Sequence, residues 1–258
     1  LSWFLKRILK KLNFADIILW LYPPSSVELL GKLSEKTILY HCIADFPAEK
    51  RISLRRKTVL SMEKELAVKS DIILALTESL LNKHKHINPR TYLFPSAVDE
   101  AVFFRMTAND AAEPLDIAVL KRPRIGMVGY LDGNVLDIDL VSYIADRHPE
   151  WSIVLIGPKY RHMHRLSLLS KKGNIYFIPE KKNNEMPVYI RNLDVCMIPY
   201  VVNEFTKNVS PLKLYEYLAM GKPMVATALP DVERFKDVIM VAHNKDEFIE
   251  YISASLSR

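Results

Sequence analysis

Residues 210–223 read SPLKLYEYLAMGKP, and the rest of the chain can be organised around them. The stretch carries both end signals of one short helix. Ser210 is a good N-cap residue, because its hydroxyl can accept a bond from an unpaired first-turn N–H. Pro211 then falls at the first helical position, where a missing N–H costs nothing. Gly221 suits the left-handed residue that follows a helix, and Pro223 prevents continuation. Leu212, Tyr215 and Ala219 recur at helical spacing and are expected to face a core.

Lys213 breaks the local pattern. It falls in the first turn, where the helix dipole is positive and Asp or Glu is preferred. A cation there makes sense if an anion is meant to sit in front of it. The N–H groups of Leu212 and Lys213, the Ser210 hydroxyl and the lysine ammonium would together hold a phosphate. Glu216, three residues on, shares a face with Lys213. It lies about 9 Å along the axis from Ser210 at a rise of ~1.5 Å per residue. That is close to the span from a diphosphate to the hydroxyls of its ribose, and a carboxylate accepts bonds from two vicinal hydroxyls. The plainer reading is an exposed Lys213–Glu216 pair on an ordinary helix. Spacing alone leaves both readings open.

Residues 211–225, PLKLYEYLAMGKPMV, resemble the signature helix of the group 1 retaining glycosyltransferases, which have the GT-B fold. In that family a Glu, a small-residue turn and Gly-x-Pro-hydrophobic close on the nucleotide ribose. Glu216 matches the second Glu of the family's Glu-x7-Glu motif. The first Glu falls on Asn208, a departure from the pattern. The form with Ser-Pro-x-Lys before the helix is similar to bacterial enzymes that build cell-surface polysaccharides. Two scaffold segments fit the same family: residues 185–189, EMPVY, and residues 194–199, DVCMIP.

The pattern on either side agrees with two α/β domains. Before residue 100, strands are expected at 16–21, 37–42, 72–76 and 91–94, with helices near 2–12 and 25–33, a long one reaching Lys69 and carrying Arg51, and one capped by Thr77. This alternation implies a parallel sheet. Residues 100–123 lack periodicity, contain Pro114 and Pro123, and are the best linker. From 124 to 258, six apolar strands alternate with helices, as a complete doubly wound nucleotide-binding domain requires. The expected organisation is therefore an acceptor-side domain at 1–99, incomplete at its N-terminus, a linker at 100–123, and a donor-binding Rossmann-like domain at 124–258.

Bulk properties narrow the partners. The 258 residues are 49% hydrophobic with a formal net charge of +6, so a sizeable core and an anionic partner are both expected. Cys42 and Cys196 lie in apolar runs and read as buried thiols of a cytoplasmic chain. Residues 2–12, SWFLKRILKKL, are amphipathic. They read either as a core-packed helix or as one touching anionic lipid, which would make the protein peripheral at the inner face of a membrane.

Other site residues follow from position. The loop GYLDGN at 129–134 falls at the carboxyl end of a strand, where such sheets bind ligands. Gly129 would let a sugar diphosphate approach the backbone. The family resemblance implies an Arg after this glycine and a Lys nearby; Tyr130 stands in the first place and no Lys in the second. Phosphate charge then falls to Lys213, Lys207 or Lys159. Ile178 and Glu180 lie where the family reads the nucleobase. Residues 40–46, YHCIADF, are similar to a strand end at the family's cleft, with His41 and Asp45 as candidates to position acceptor or donor sugar. Asp137 and Asp139 are read as helix-start acids, and His84 and His86 as a solvated basic face.

The resemblance implies sugar transfer from a nucleotide diphosphate of uridine or guanosine to a glycan or lipid-linked acceptor, with retention. His41, Asp45 and Asn208 are the catalytic candidates. Ser210, Leu212, Lys213 and Glu216 join Gly129, Tyr130, Lys159, Ile178, Glu180 and Lys207 as donor-binding candidates. No cofactor, metal or nucleic acid is expected. The alternatives are a sugar-nucleotide epimerase of the same fold and a non-catalytic nucleotide- or glycan-binding module.

Overall fold

A computed structural model of the chain describes residues 2–49, 55–103, 112–159 and 163–257. The chain forms two compact units. One comprises residues 1–95 with 207–210, the other residues 96–206 with 211–258.

The first unit is built on four parallel strands, β1 (Ile18–Leu21), β2 (Thr37–Cys42), β3 (Ile72–Ala75) and β4 (Thr91–Leu93), in the order β1-β2-β3-β4. Its helices are α1 (Ser2–Lys11), α2 (Arg56–Lys69) and α3 (Glu78–Lys85). Strand side chains alternate between faces. Tyr40, Cys42, Ile73 and Ala75 therefore point one way and close over Leu66, Ala67 and Leu80 of α2 and α3. Thr77 caps α3, accepting the Leu80 N–H at 3.3 Å. The helix expected over 25–33 is instead a 3-10 segment, Pro24–Leu29. Prolines at 23 and 24 start it, and Gly31 at φ 71° ends it. Arg51, read as part of the helix reaching Lys69, lies outside the described residues.

The second unit holds six parallel strands, β5 (Arg124–Val128), β6 (Ser152–Ile156), β7 (Ile175–Ile178), β8 (Val195–Ile198), β9 (Met224–Thr227) and β10 (Met240–Ala242). Their order is β10-β9-β8-β5-β6-β7. Numbered within the unit this is the 3-2-1-4-5-6 order of a doubly wound dinucleotide-binding sheet, and its direction reverses between β5 and β8. Helices cover both faces: α4 (Glu100–Phe103), α5 (Leu115–Ala118), α6 (Ile138–Arg147), α7 (Met163–Leu169), α8 (Met186–Arg191), α9 (Leu212–Ala219), α10 (Pro230–Glu233) and α11 (Lys245–Leu256). Val128, Val154, Ile198 and Ala226 pack with Tyr189, Leu214 and Tyr217 on one side. Ile125, Ile153, Met197 and Val225 pack with Val141, Ile144, Phe248 and Ile252 on the other. Asp137 caps α6 by accepting the Leu140 N–H at 2.8 Å.

Within 100–123, the described residues include α4 and α5, whose Phe103 and Ile117 are buried in the core of the second unit. Cys42 and Cys196 are both buried and unbridged. Burial pushes each thiol up to about 12.

Candidate functional site

The place where strand order reverses sets the site. Strand β5 pairs with β6 along its whole length but with β8 only at Ile125 and Gly126. The sheet therefore opens between β5 and β8 toward their carboxyl ends, which is where ligands of doubly wound sheets bind. Helix α9 fills the back of this opening. Tyr217 is fully buried, and its Oη accepts the Val128 N–H at 2.8 Å. That bond satisfies a strand amide left without a ladder partner.

Gly129 follows directly, at φ 145°, with its N–H donated to the Ile156 carbonyl at 2.9 Å. Gly157 ends β6 at φ 141° and lies against the Gly129 backbone; a Cβ there would run into the Gly129 carbonyl oxygen. Two glycines thus let two strand ends crowd together at the mouth of the sheet. Tyr130 is 60% exposed beside them. Leu131 bridges to Lys159, whose ammonium lies 4.0 Å from the centre of the Phe177 ring. Ile178 is a core residue, and its carbonyl accepts the Gly157 N–H at 3.0 Å. Glu180 is exposed just beyond β7.

Helix α9 begins at Leu212, with Pro211 as its N-cap residue and no side-chain cap bond. This corrects two sequence expectations, Ser210 as cap and Pro211 as first helical residue. Pro211 has ψ 113°, an extended value, so the helix starts one residue later. Ser210 is buried. The expected core face holds only in part: Tyr215 and Ala219 pack against the core of the second unit. Leu214 and Tyr217 are buried, whereas Leu212 is 47% exposed. The C-terminal reading holds: Gly221 has φ 62°, its N–H reaches the Leu218 carbonyl at 2.9 Å, and the Lys222 N–H reaches Tyr217 at 3.0 Å. These two bonds are the Schellman pattern.

Lys213 and Glu216 do pair, but not on a solvated face. The Lys213 ammonium lies 2.7 and 2.6 Å from the two Glu216 oxygens, and the Glu216 side chain is 3% exposed. Burial raises the Glu216 pKa, and the pairing with Lys213 only partly offsets it. Two further residues at the same strand ends carried no periodic signal. Tyr200, just after β8, has its hydroxyl pushed up to about 12, mainly by burial. Asp132 is fully buried; one oxygen accepts the Asn134 N–H at 2.9 Å, and the other has no partner among the described residues. A lone Asp inside a Gly/Asn turn reads as a turn former, so its burial was not legible.

The remaining candidates belong to the first unit. Asp45, following β2, accepts from Lys83 Nζ at 2.7 Å and from Asn208 Nδ2 at 3.2 Å. Ser79 donates to Asn208 Oδ1 at 2.5 Å. Asp45 and Asn208 are thus brought together, and Lys207 beside them is exposed. His41 faces away from Tyr40 and Cys42, into a cage of Trp20, Tyr22 and Phe94. Its Nδ1 accepts from Trp20 Nε1 at 3.4 Å, and burial lowers its pKa. His84 departs from its solvated reading: it is 1% exposed, because its helix turns that side onto β2. His86 is exposed as expected.

Residues 122–258, more than half of the chain, match the family model described as glycosyl transferases group 1. The chain belongs to the group 1 glycosyl transferases. This group 1 chain is also 24% identical over 249 residues to the Bacillus subtilis protein TuaH, whose name assigns it to teichuronic acid biosynthesis as a glycosyltransferase. The match covers 92% of this chain and 62% of TuaH, so the chain spans less than two thirds of that relative. Among solved structures, sucrose-phosphate synthase from Thermosynechococcus elongatus matches with a TM-score of 0.79 at 15% identity, over 99% of this chain and 68% of that one. Anabaena HepE in complex with UDP-glucose matches with a TM-score of 0.74 at 12% identity, over 96% and 71%. These likenesses identify the two parallel α/β sheets of the group 1 chain as those of the GT-B fold.

Proposed function

We propose that this chain transfers a sugar from a nucleoside-diphosphate donor to a glycan or lipid-linked acceptor in bacterial surface-polysaccharide synthesis. The observation that carries the reading is the pairing of Lys213 with the buried Glu216 in the helix after β8, at the reversal of strand order. Glu216 would accept both ribose hydroxyls. The Lys213 ammonium, the N–H groups of Leu212 and Lys213 at the start of α9 and the Gly129 backbone would meet the diphosphate, stabilising charge as it develops on the leaving group. A uridine donor is favoured because the similar HepE structure holds UDP-glucose. Retention and independence of metal follow the family resemblance. His41, Asp45 and Asn208 are proposed to serve the acceptor and the donor sugar, with Lys83 and Ser79 holding Asp45 and Asn208 in place. The proposed division of labour gives the donor to 124–258 and the acceptor to 1–99, with 100–123 joining them.

Calorimetric titration with UDP, GDP and their nucleosides tests this reading. Binding of one diphosphate, stronger than its nucleoside and lost in Glu216→Gln, is expected. Equal affinity of that variant for the diphosphate would remove Glu216 from the site. Transfer is then assayed with sugar donors of the base that binds, and the anomeric outcome is read by NMR.

Membrane contact is part of the proposal. None of the α1 side chains is buried; Trp3 is 70% and Phe4 58% exposed, and Lys6, Arg7, Lys10 and Lys11 supply charge. Such a helix lies in the interface rather than across it, and no helix among the described residues is long and apolar enough to span a bilayer. Co-sedimentation should show salt-sensitive binding to anionic vesicles and none to neutral ones. Equal binding to both kinds would discard the electrostatic part of this idea.

A further inference from the structure

Three side chains of the first unit meet in its core with no part in the chemistry above. Cys42 ends β2, Glu63 lies in the middle of α2 and His84 lies on α3. Their exposures are 0%, 2% and 1%. Cys42 Sγ lies 3.4 Å from His84 Nε2, which lies 3.6 Å from Glu63 Oε1, and all three atoms are within 4.8 Å of one another. The 3.6 Å separation is too long for a hydrogen bond. It is the right length for the edge of a metal tetrahedron: bonds of about 2.0–2.3 Å to zinc put neighbouring ligand atoms roughly 3.3–3.7 Å apart.

We propose that Cys42, Glu63 and His84 form a structural site for a divalent transition metal, zinc by ligand chemistry. Sulfur, imidazole nitrogen and a single carboxylate oxygen form a mixed set that suits zinc and suits magnesium or calcium poorly. Glu63 is arranged for one-oxygen ligation. Its Oε2 is taken by Lys83 Nζ at 2.7 Å, which leaves Oε1 turned to the cluster, as an outer-shell partner would. Oε1 accepts only a long hydrogen bond, from Tyr40 Oη at 3.4 Å.

Charge balance points the same way. Lys83 also binds Asp45, so one ammonium serves two carboxylates and leaves one negative charge uncompensated in a buried cluster. A divalent ion that displaces the Cys42 thiol proton to solvent, forming the metal–sulfur bond, brings the cluster to neutrality. Protonation of His84 would achieve the same without metal, and this is the rival account.

The test uses the whole chain produced in zinc-supplemented medium and dialysed without chelator. Elemental analysis should find about one zinc per chain. Cobalt exchange should give a thiolate-to-cobalt charge-transfer band that disappears in Cys42→Ser. A chelator should lower the melting temperature of wild type and leave that of His84→Gln unmoved. If those variants do not fold, zinc released when the wild-type protein is denatured, measured with a metallochromic dye, gives the stoichiometry directly. Chains that carry less than about a tenth of an equivalent after zinc supplementation, and that give no charge-transfer band with cobalt, would overturn the site and leave the protonated-histidine account.

Discussion

Lys213 Nζ sits 2.7 and 2.6 Å from the two carboxylate oxygens of Glu216, one helical turn away, and the carboxylate it holds is almost wholly out of water. The pair does not fully offset the burial it suffers, since the Glu216 pKa is raised and not lowered. A carboxyl group buried at a net cost is expected where a ligand repays that cost.

Glu216→Gln therefore separates binding from stability. A carboxyl whose folded pKa is raised contributes its stability below the unfolded value, and loses it as pH rises through the folded value. The uncharged Gln should equal or exceed wild type in unliganded stability at pH 7, with the margin closing as pH falls to about 4. Diphosphate affinity should fall by about 1.5–3 kcal/mol, the range for a charged hydrogen bond. Thermal melts across pH, paired with titration, check both parts. A variant less stable than wild type at pH 7 would contradict the sign.

Lys213→Ala should act the other way on the free protein. The dipole at a helix start argues that removing a cation helps by a few tenths of a kcal/mol. The buried carboxylate it leaves behind outweighs that, and a loss of about 1–3 kcal/mol is expected, less than for a wholly buried pair because the Lys213 side chain is 19% exposed. Adding Glu216→Gln should restore most of the loss. A double-mutant cycle with no coupling would mean that the two charges do not sense each other.

Tyr217→Phe removes the acceptor of the Val128 N–H and leaves a buried donor without a partner. Urea unfolding should register a loss of about 1–3 kcal/mol. Because Val128 precedes Gly129, diphosphate affinity should fall as well. Unchanged affinity with lowered stability would confine Tyr217 to the core.

Gly157→Ala and Gly129→Ala make a controlled pair. Both residues have positive φ, so both substitutions strain the backbone. A Cβ at Gly129 meets nothing closer than Met127 Cε at 3.8 Å, whereas one at Gly157 collides with the Gly129 carbonyl. Gly157→Ala should therefore be the more destabilising of the two, read as the larger drop in melting temperature. The reverse ranking would mean that the two strand ends do not crowd as described.

The six strands of the second unit were legible because fully buried parallel strands read as apolar runs between turn signals. The helix phase of α9 was legible only in part. Tyr215 and Ala219 do pack against the core, but Leu212 is exposed, and Leu214 and Tyr217 form the fully buried stripe, Tyr217 being held by the Val128 amide. Glu216, whose matching motif located it, also proved buried. His84 misled for the opposite reason. Lysines at 83 and 85 suggest a wet surface, yet a helix turns neighbouring residues about 100° apart, and position 84 faces β2. Only long-range contact with Glu63 and Cys42 reveals it.

The Val128 amide has a use beyond the site. Most strand amides exchange their hydrogen when a neighbouring strand peels away. This one is held by a phenol on α9, so it exchanges when that helix lifts from the sheet. A single resonance in a hydrogen–deuterium experiment thus times the lifting of α9, without any nucleotide present. The helix that organises the sequence carries its own clock.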